Sequence, residues 1–308
     1  MSAQFNIKAA DPASVVRLER ELGLPRFIAA TLVARGIDQP AAVHRFLEPS
    51  LERDWLDPYI IPGLSDVADA LEAAIKRGDH ILVFGDFDLD GISATTVLTR
   101  GLRAFGAQAT PFIPLRFDEG YALSEAAITR ACSYGPDFIV TVDCGIACKV
   151  EAAAVVEAGL GLAITDHHEP VDLVPEGVPV ADPKCDPACP SSILAGVGVA
   201  LKLVQVLGGR LGQPHLWRDF TDFATLGTVA DLMPMRDENR ALVADGIARM
   251  NEAPRPCIAA LLATSGAADK PVSATNLSFS VIPRHRTSPF FTCWPISTNG
   301  VPPWERAL

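Results

Sequence analysis

Asp86, Asp88 and Asp90 alternate in V-F-G-D-F-D-L-D-G, directly after the apolar run Ile81-Leu82-Val83-Phe84. Asp143 follows Phe138-Ile139-Val140-Thr141-Val142, and Asp166, His167 and His168 follow the run 160–165. Asp231 ends a further apolar run in T-L-G-T-V-A-D-L-M-P. Gathering this many carboxylates costs repulsion and desolvation unless cations neutralise them. A set made mostly of carboxylate oxygen with one or two imidazoles suits Mn2+ or Mg2+ better than a thiolate-seeking metal. Two such ions about 3.5–4 Å apart are a recurrent arrangement for phosphoester cleavage, since they activate water and stabilise both the attacking and leaving oxygens. Asp143, on the strand between the other two groups, is the expected bridging ligand.

Each residue also has a bland reading. A lone Asp at a strand end is ordinarily a helix cap or loop residue. The D-x-D-x-D-G pattern resembles a calcium loop, but the bidentate Glu expected six residues after Gly91 is replaced by Val97. A His pair in a loop is often only solvated. Recurrence after successive strands separates this set from those alternatives. The seven cysteines are odd in number and scattered, which reads as reduced thiols. Cys144/Cys148 and Cys185/Cys189 have a spacing that zinc permits, yet nothing in the sequence brings the two pairs together.

The elements that must position these groups alternate regularly. Strands are expected at 81–84, 109–113, 138–142, 160–165 and 178–181, and helices at 92–105, 124–131, 147–158 and 194–207. Uniformly apolar strands alternating with helices predict an α/β fold, a mostly parallel sheet with helices on both faces. In such sheets ligands bind outside the carboxyl ends of the strands, where these acids fall. Ahead of the sheet, 24–36 and 40–49 read as short helices, 54–63 as a connector, and Ser65 to Gly78 as an amphipathic helix.

The chain has 308 residues, enough for two domains, and at 49% hydrophobic and 20% charged it reads as globular and soluble. No apolar run reaches membrane-spanning length and the N-terminus lacks a secretory pattern, so no membrane association and a cytoplasmic location are expected. The net charge of −11 argues against broad duplex binding. Two divalent ions would still reverse the sign where one phosphate must approach.

The segments D-F-D-L-D-G, V-D-C-G, T-D-H-H and G-T-V-A-D resemble the four motifs of the DHH phosphoesterases. Within that superfamily, I-P-L-R-F-D-E-G-Y, I-T-D-H-H-E-P, L-A-G-V-G-V-A-L-K-L and L-G-T-V-A-D-L-M-P-M-R-D-E-N-R look like the bacterial RecJ-type single-stranded-DNA exonucleases, from about Leu24 to Arg284. The resemblance implies that Asp86, Asp88, Asp90, Asp143, His167 and Asp231 hold two Mn2+ or Mg2+ ions. It implies further that His168 contacts the scissile phosphate and protonates the leaving group, that Asp166 orients the histidines, and that Arg116 meets substrate phosphate. A solvated loop arginine is the alternative for Arg116. Gly91 and Gly120 would let the backbone turn tightly beside the metals. Gly196 and Gly198 either present backbone N–H groups to a phosphate or serve close helix-to-sheet packing.

The implied activity is 5′-to-3′ hydrolysis of single-stranded DNA in repair and recombination, with a single-stranded-DNA-binding protein and a helicase as partners. A DHH phosphodiesterase of short oligonucleotides or cyclic dinucleotides, or a non-catalytic truncated scaffold, are the alternatives. Three departures from the family pattern stand out. Gly120-Tyr121-Ala122-Leu123 replaces G-Y-G-L, and Asp182-Pro183 replaces Asn-Pro. After F-S-V-I-P-R the family continues into a second domain and an OB-fold, whereas His285-Arg286-Thr287-Ser288 begins a different tail. The expected organisation is therefore a helical segment and connector at 1–63, a DHH catalytic domain at 64–255, the start of a linker at 256–284, and an atypical tail at 285–308, as in a chain truncated after its DHH domain.

Overall fold

The structure, a computed structural model, describes residues 8–267 and 270–282. Asp11 accepts the Ser14 amide and Pro12 fits the first turn, which starts α1 (Pro12–Leu22). α2 (Arg26–Ala34) and α3 (Pro40–Leu47) follow, and the three helices close a small core of Val15, Leu18, Ala29, Leu32 and Val43. The sequence expectation omits α1, whose chief signal is that cap and not a long apolar stripe. α4 (Leu51–Asp54) and a 3-10 turn at Pro58–Ile60 lead to α5 (Leu64–Arg77), which stops at left-handed Gly78.

The expected alternation then unfolds as β1 (His80–Phe84), α6 (Leu89–Ala104), β2 (Gln108–Phe112), α7 (Glu125–Cys132), β3 (Phe138–Val142), α8 (Lys149–Glu157), β4 (Gly161–Thr165), β5 (Val180–Ala181) and α9 (Gly196–Arg210). All pairings are parallel, in the order β2-β1-β3-β4-β5. Side-chain alternation sends Ile81 and Val83 to one face, against Leu71, Leu98 and Leu203 of α5, α6 and α9. Leu82 and Phe84 face the other way, onto Phe112, Ala127 and Val155. Both faces are buried, which is why the strands read as unbroken apolar runs. The chain leaves β1 for β2 on one side and returns to β3 on the other. The order reverses between β1 and β3, and at the carboxyl ends of those two strands the crevice opens.

α10 (Thr221–Ala230), α11 (Asp237–Glu252) and α12 (Pro256–Thr264) complete the described chain with short helical turns at Ala274–Asn276 and Leu277–Val281. Leu226, Val229, Val243, Ile258, Leu262, Leu277 and Val281 share a third core. Where the sequence suggests a linker, the described part of 256–284 is thus folded against α10 and α11. The atypical tail at 285–308 lies outside the described residues. No helix among the described residues is long and apolar enough to cross a membrane.

Candidate metal centre

β1, β3 and β4 end at one edge, with Phe84 paired to Thr141 and Val142 to Thr165, so the acids that follow them converge. Asp88 caps α6: its Oδ1 accepts the amides of Asp90 at 2.8 Å and Gly91 at 3.0 Å. Asp90, in the first turn of α6, is buried and faces α9. Its Oδ2 accepts the Gly196 amide at 2.7 Å and its Oδ1 the Val197 amide at 3.0 Å. The N-terminus of α9 therefore clamps a carboxylate. Asp143 adopts a left-handed φ of 61°, an uncommon conformation for a residue with a Cβ.

His167 is oriented from behind. Its Nδ1–H donates to the Leu194 carbonyl at 3.1 Å, which leaves the Nε2 lone pair facing the acids. Nε2 lies 3.1 Å from Asp143 Oδ1, 3.7 Å from Asp231 Oδ2 and 3.8 Å from Asp90 Oδ2. Asp231 arrives from the C-terminal end of α10, so the fourth apolar run is a helix. Three donor sets have ligand atoms within 4.8 Å of one another: Asp86–Asp88–Asp143, Asp90–His167–Asp231 and Asp143–His167–His168. Asp143 belongs to two of them. The six residues expected to hold metal are all brought together here.

This donor set fits divalent cations. Asp143 Oδ1 is a buried acceptor with no hydrogen-bond donor. Burial pushes the Asp90 and Asp143 carboxyls well above the usual carboxylate range, and neighbouring acids push in the same direction. Burial likewise lifts Asp86 to about 6 and raises Asp231. Positive charge at the centre would offset both the desolvation and the repulsion.

His168 sits half-exposed beside these groups, its ring 4.5 Å from that of His167. Its Nδ1 is 2.7 Å from Asp166 Oδ1, and this hydrogen bond raises the imidazole above its usual value. Burial alone would push Asp166 up. Hydrogen bonds from His168 and from the amides of Ile146 and His167 outweigh it, and the carboxyl ends below its usual range. Asp166 is thus charged and points Nε2 of His168 outward.

The loop after β2 supplies Arg116, whose guanidinium lies 4.4 Å over the Phe87 ring. Tyr121 packs edge-on to Phe87 at 6.1 Å, and Phe117 beside Arg116 is 86% exposed. Arg130 anchors this loop through Glu119 at 2.5 Å and the Ile113 carbonyl at 2.7 Å. Ala122 has a left-handed φ of 54°, at the position where the family pattern has glycine.

Some expectations change. The Gly196 amide is taken by Asp90, and the Gly198 amide bonds the Ala195 carbonyl, so neither awaits a phosphate. Gly196 is small for packing reasons: a Cβ there would lie 2.4 Å from Asp143 Oδ1. Gly91 is helical, and close approach to the Asp86 backbone requires it; Gly120 does turn, at φ 89°. Among the described residues no donor set contains cysteine, and the six described cysteines are unpaired. Sequence reasoning does not single out Phe87, Tyr121, Glu119 or Asp182 as site residues. Asp182 follows β5 as the other acids follow their strands, and burial lifts its carboxyl to about 7 with Oδ2 unpartnered. The strand-end rule, applied once more, finds it.

Comparison with known proteins accords with this geometry. Residues 80–228 match the DHH family, N-terminal domain. The single-stranded-DNA-specific exonuclease RecJ of Bacillus subtilis (strain 168) is 36% identical over 283 residues, which are 91% of this chain and 35% of that protein. The protein of the same name from Thermus thermophilus is 36% identical over 236 residues, 75% of this chain and 34% of its own length. A crystal structure of RecJ in complex with Mn2+ from Thermus thermophilus superposes with a TM-score of 0.74 at 32% identity, covering 90% of this chain and 39% of that one. The chain thus spans about a third of the length of these relatives.

Proposed function

The chain belongs to the DHH family, of the RecJ type, and on that premise we propose that it hydrolyses single-stranded DNA from the 5′ end with two Mn2+ or Mg2+ ions. The observation that carries this reading is the place of Asp143, buried between Asp86 and Asp88 on one side and Asp90, His167 and Asp231 on the other. In this reading Asp143 would serve both ions and Asp86, Asp88, Asp90, His167 and Asp231 would complete the set that holds them. When bound, the cations supply charge to the phosphate and lower the pKa of a water. His168, whose proton affinity the Asp166 hydrogen bond raises, would donate Nε2–H to the leaving oxygen.

The single-strand preference rests on the rim. Phe87, Phe117, Tyr121 and Arg116 offer ring faces and a guanidinium on which unpaired bases stack and a phosphate pairs. The acidic charge elsewhere disfavours extended duplex. By the family resemblance, a single-stranded-DNA-binding protein and a helicase deliver this substrate in the cytoplasm during repair and recombination.

The test is Mn2+-dependent hydrolysis of an end-labelled, 5′-phosphorylated single strand, beside a duplex and a dinucleotide, with Asp143→Ala as control. Stepwise release of mononucleotides from the 5′ end, absent in the variant, is expected. Cleavage of the dinucleotide alone would select the short-substrate reading. Two bound metals without any cleavage would leave a non-catalytic scaffold.

A further inference from the structure

α6 connects the parallel strands β1 and β2, so it runs back across the sheet, away from the metal centre. At about 1.5 Å per residue, Arg100 lies about 15 Å along its axis from Asp90. There a cavity of about 470 Å3 opens between α6, α11 and the segment 216–222, lined by Arg100, Arg249 and Arg255 with Asp219, Asp222 and Phe220. That size falls within the range of small-molecule sites.

The charges in this cavity are unevenly paired. Asp222 is buried and committed to Arg255, whose Nε lies 2.8 Å from its Oδ2. Arg255 also donates to the Asp219 backbone carbonyl. Arg249 reaches the Asp219 carboxylate only at 3.5 Å, and its Nε–H is buried without an acceptor. Arg100 has no hydrogen-bond or ion-pair partner among the described residues. Three guanidiniums therefore face two carboxylates in a protein of net charge −11, and two of them carry unused donors. Guanidinium forks with free N–H groups match phosphate oxygens.

We propose that this cavity is a second, remote site for a phosphate group, free or carried on a mononucleotide, held by Arg100 and Arg249. Leu216 and Phe220 supply an apolar wall that a nucleobase can cover. The inference does not rest on the nuclease reading, because none of these residues belongs to the metal centre.

Calorimetric titration of the whole chain in EDTA, with inorganic phosphate in one arm and deoxyadenosine monophosphate in the other, tests it. Without divalent cations the acidic centre repels both ligands. Saturable binding is expected, weakened about ten-fold in Arg100→Ala, which removes no hydrogen bond or ion pair among the described residues, and largely restored in Arg100→Lys. Tighter binding of the nucleotide would identify a nucleotide site, and equal binding a site for free phosphate. No saturable binding in either arm, or binding unchanged in Arg100→Ala, would overturn the proposal.

Discussion

Asp90 Oδ2 accepts the backbone N–H of Gly196 at 2.7 Å, although the two residues are 106 positions apart in the chain. The contact ties the start of α9 to the start of α6 and brings Gly196 against Asp143, leaving no room for a side chain. In Gly196→Ala the new Cβ would sit 2.4 Å from Asp143 Oδ1 and must displace it. We expect at least a ten-fold loss of Mn2+ affinity, measured by calorimetry, with the far-UV circular dichroism spectrum unchanged. Unaltered affinity would mean that Asp143 can move without harming the centre.

The strand-end acids were legible because an open parallel sheet presents its carboxyl edge to ligand, and each apolar run of four to six residues marks one strand. Asp143 as the central residue follows from the strand order, which the chain sequence of elements anticipates. The Asp90–Gly196 contact was not legible. A helix N-terminus announces that an anion will sit there, but not whether that anion is substrate or a carboxylate from another element. Asp182 was legible by the same rule, since it directly follows the strand expected at 178–181, which the structure shortens to Val180–Ala181. Phe87 and Tyr121 look like core residues until the loop after β2 is seen to leave them at the rim.

Asp166 acts through His168 and should be separable from the metal ligands. Asp166→Asn keeps an acceptor for His168 Nδ1–H but removes the negative charge that strengthens this hydrogen bond and raises the imidazole. A group with a raised pKa keeps its proton to higher pH, so the variant loses the acid form earlier. Turnover should fall about 10–100-fold with the alkaline limb of the pH–rate profile moved to lower pH. A limb that stays in place would remove His168 from the role of proton donor.

Lys202 and Glu238 form an ion pair with both side chains fully buried, Nζ lying 2.8 Å from Oε2. Lys202 also donates to the Leu56 carbonyl at 2.5 Å and sits 3.7 Å from the Trp55 ring, so α9 and α11 are pinned to the connector before α5. Burial pushes the ammonium below its ordinary pKa, and Glu238 pulls it partly back. Lys202→Met strands the carboxylate and should cost about 3–5 kcal/mol in urea unfolding. Lys202→Met with Glu238→Leu should recover most of that loss; a double variant as unstable as the single would show that the hydrogen bond to Leu56 carries the effect.

Asp182 stands where the family pattern has asparagine, and its environment is that of a neutral group. Burial raises its carboxyl from 3.8 to about 7, with the Asp166 charge adding to the effect. Between those two values the folded chain keeps the proton while the unfolded chain has released it. The unfolded state then binds fewer protons, so stability falls as pH rises through this window. Above it, the folded protein carries a buried carboxylate whose Oδ2 has no partner, at a cost on the order of a few kcal/mol. Asp182→Asn removes the titration and keeps an acceptor for the Lys184 amide, which Oδ1 now takes at 2.7 Å. In EDTA the variant should match the parent near pH 3, gain on it steadily from pH 4 to 7, and hold its full advantage at pH 8. Melting temperatures across that range measure the difference. A gain independent of pH would mean that packing, not the proton, distinguishes the two side chains.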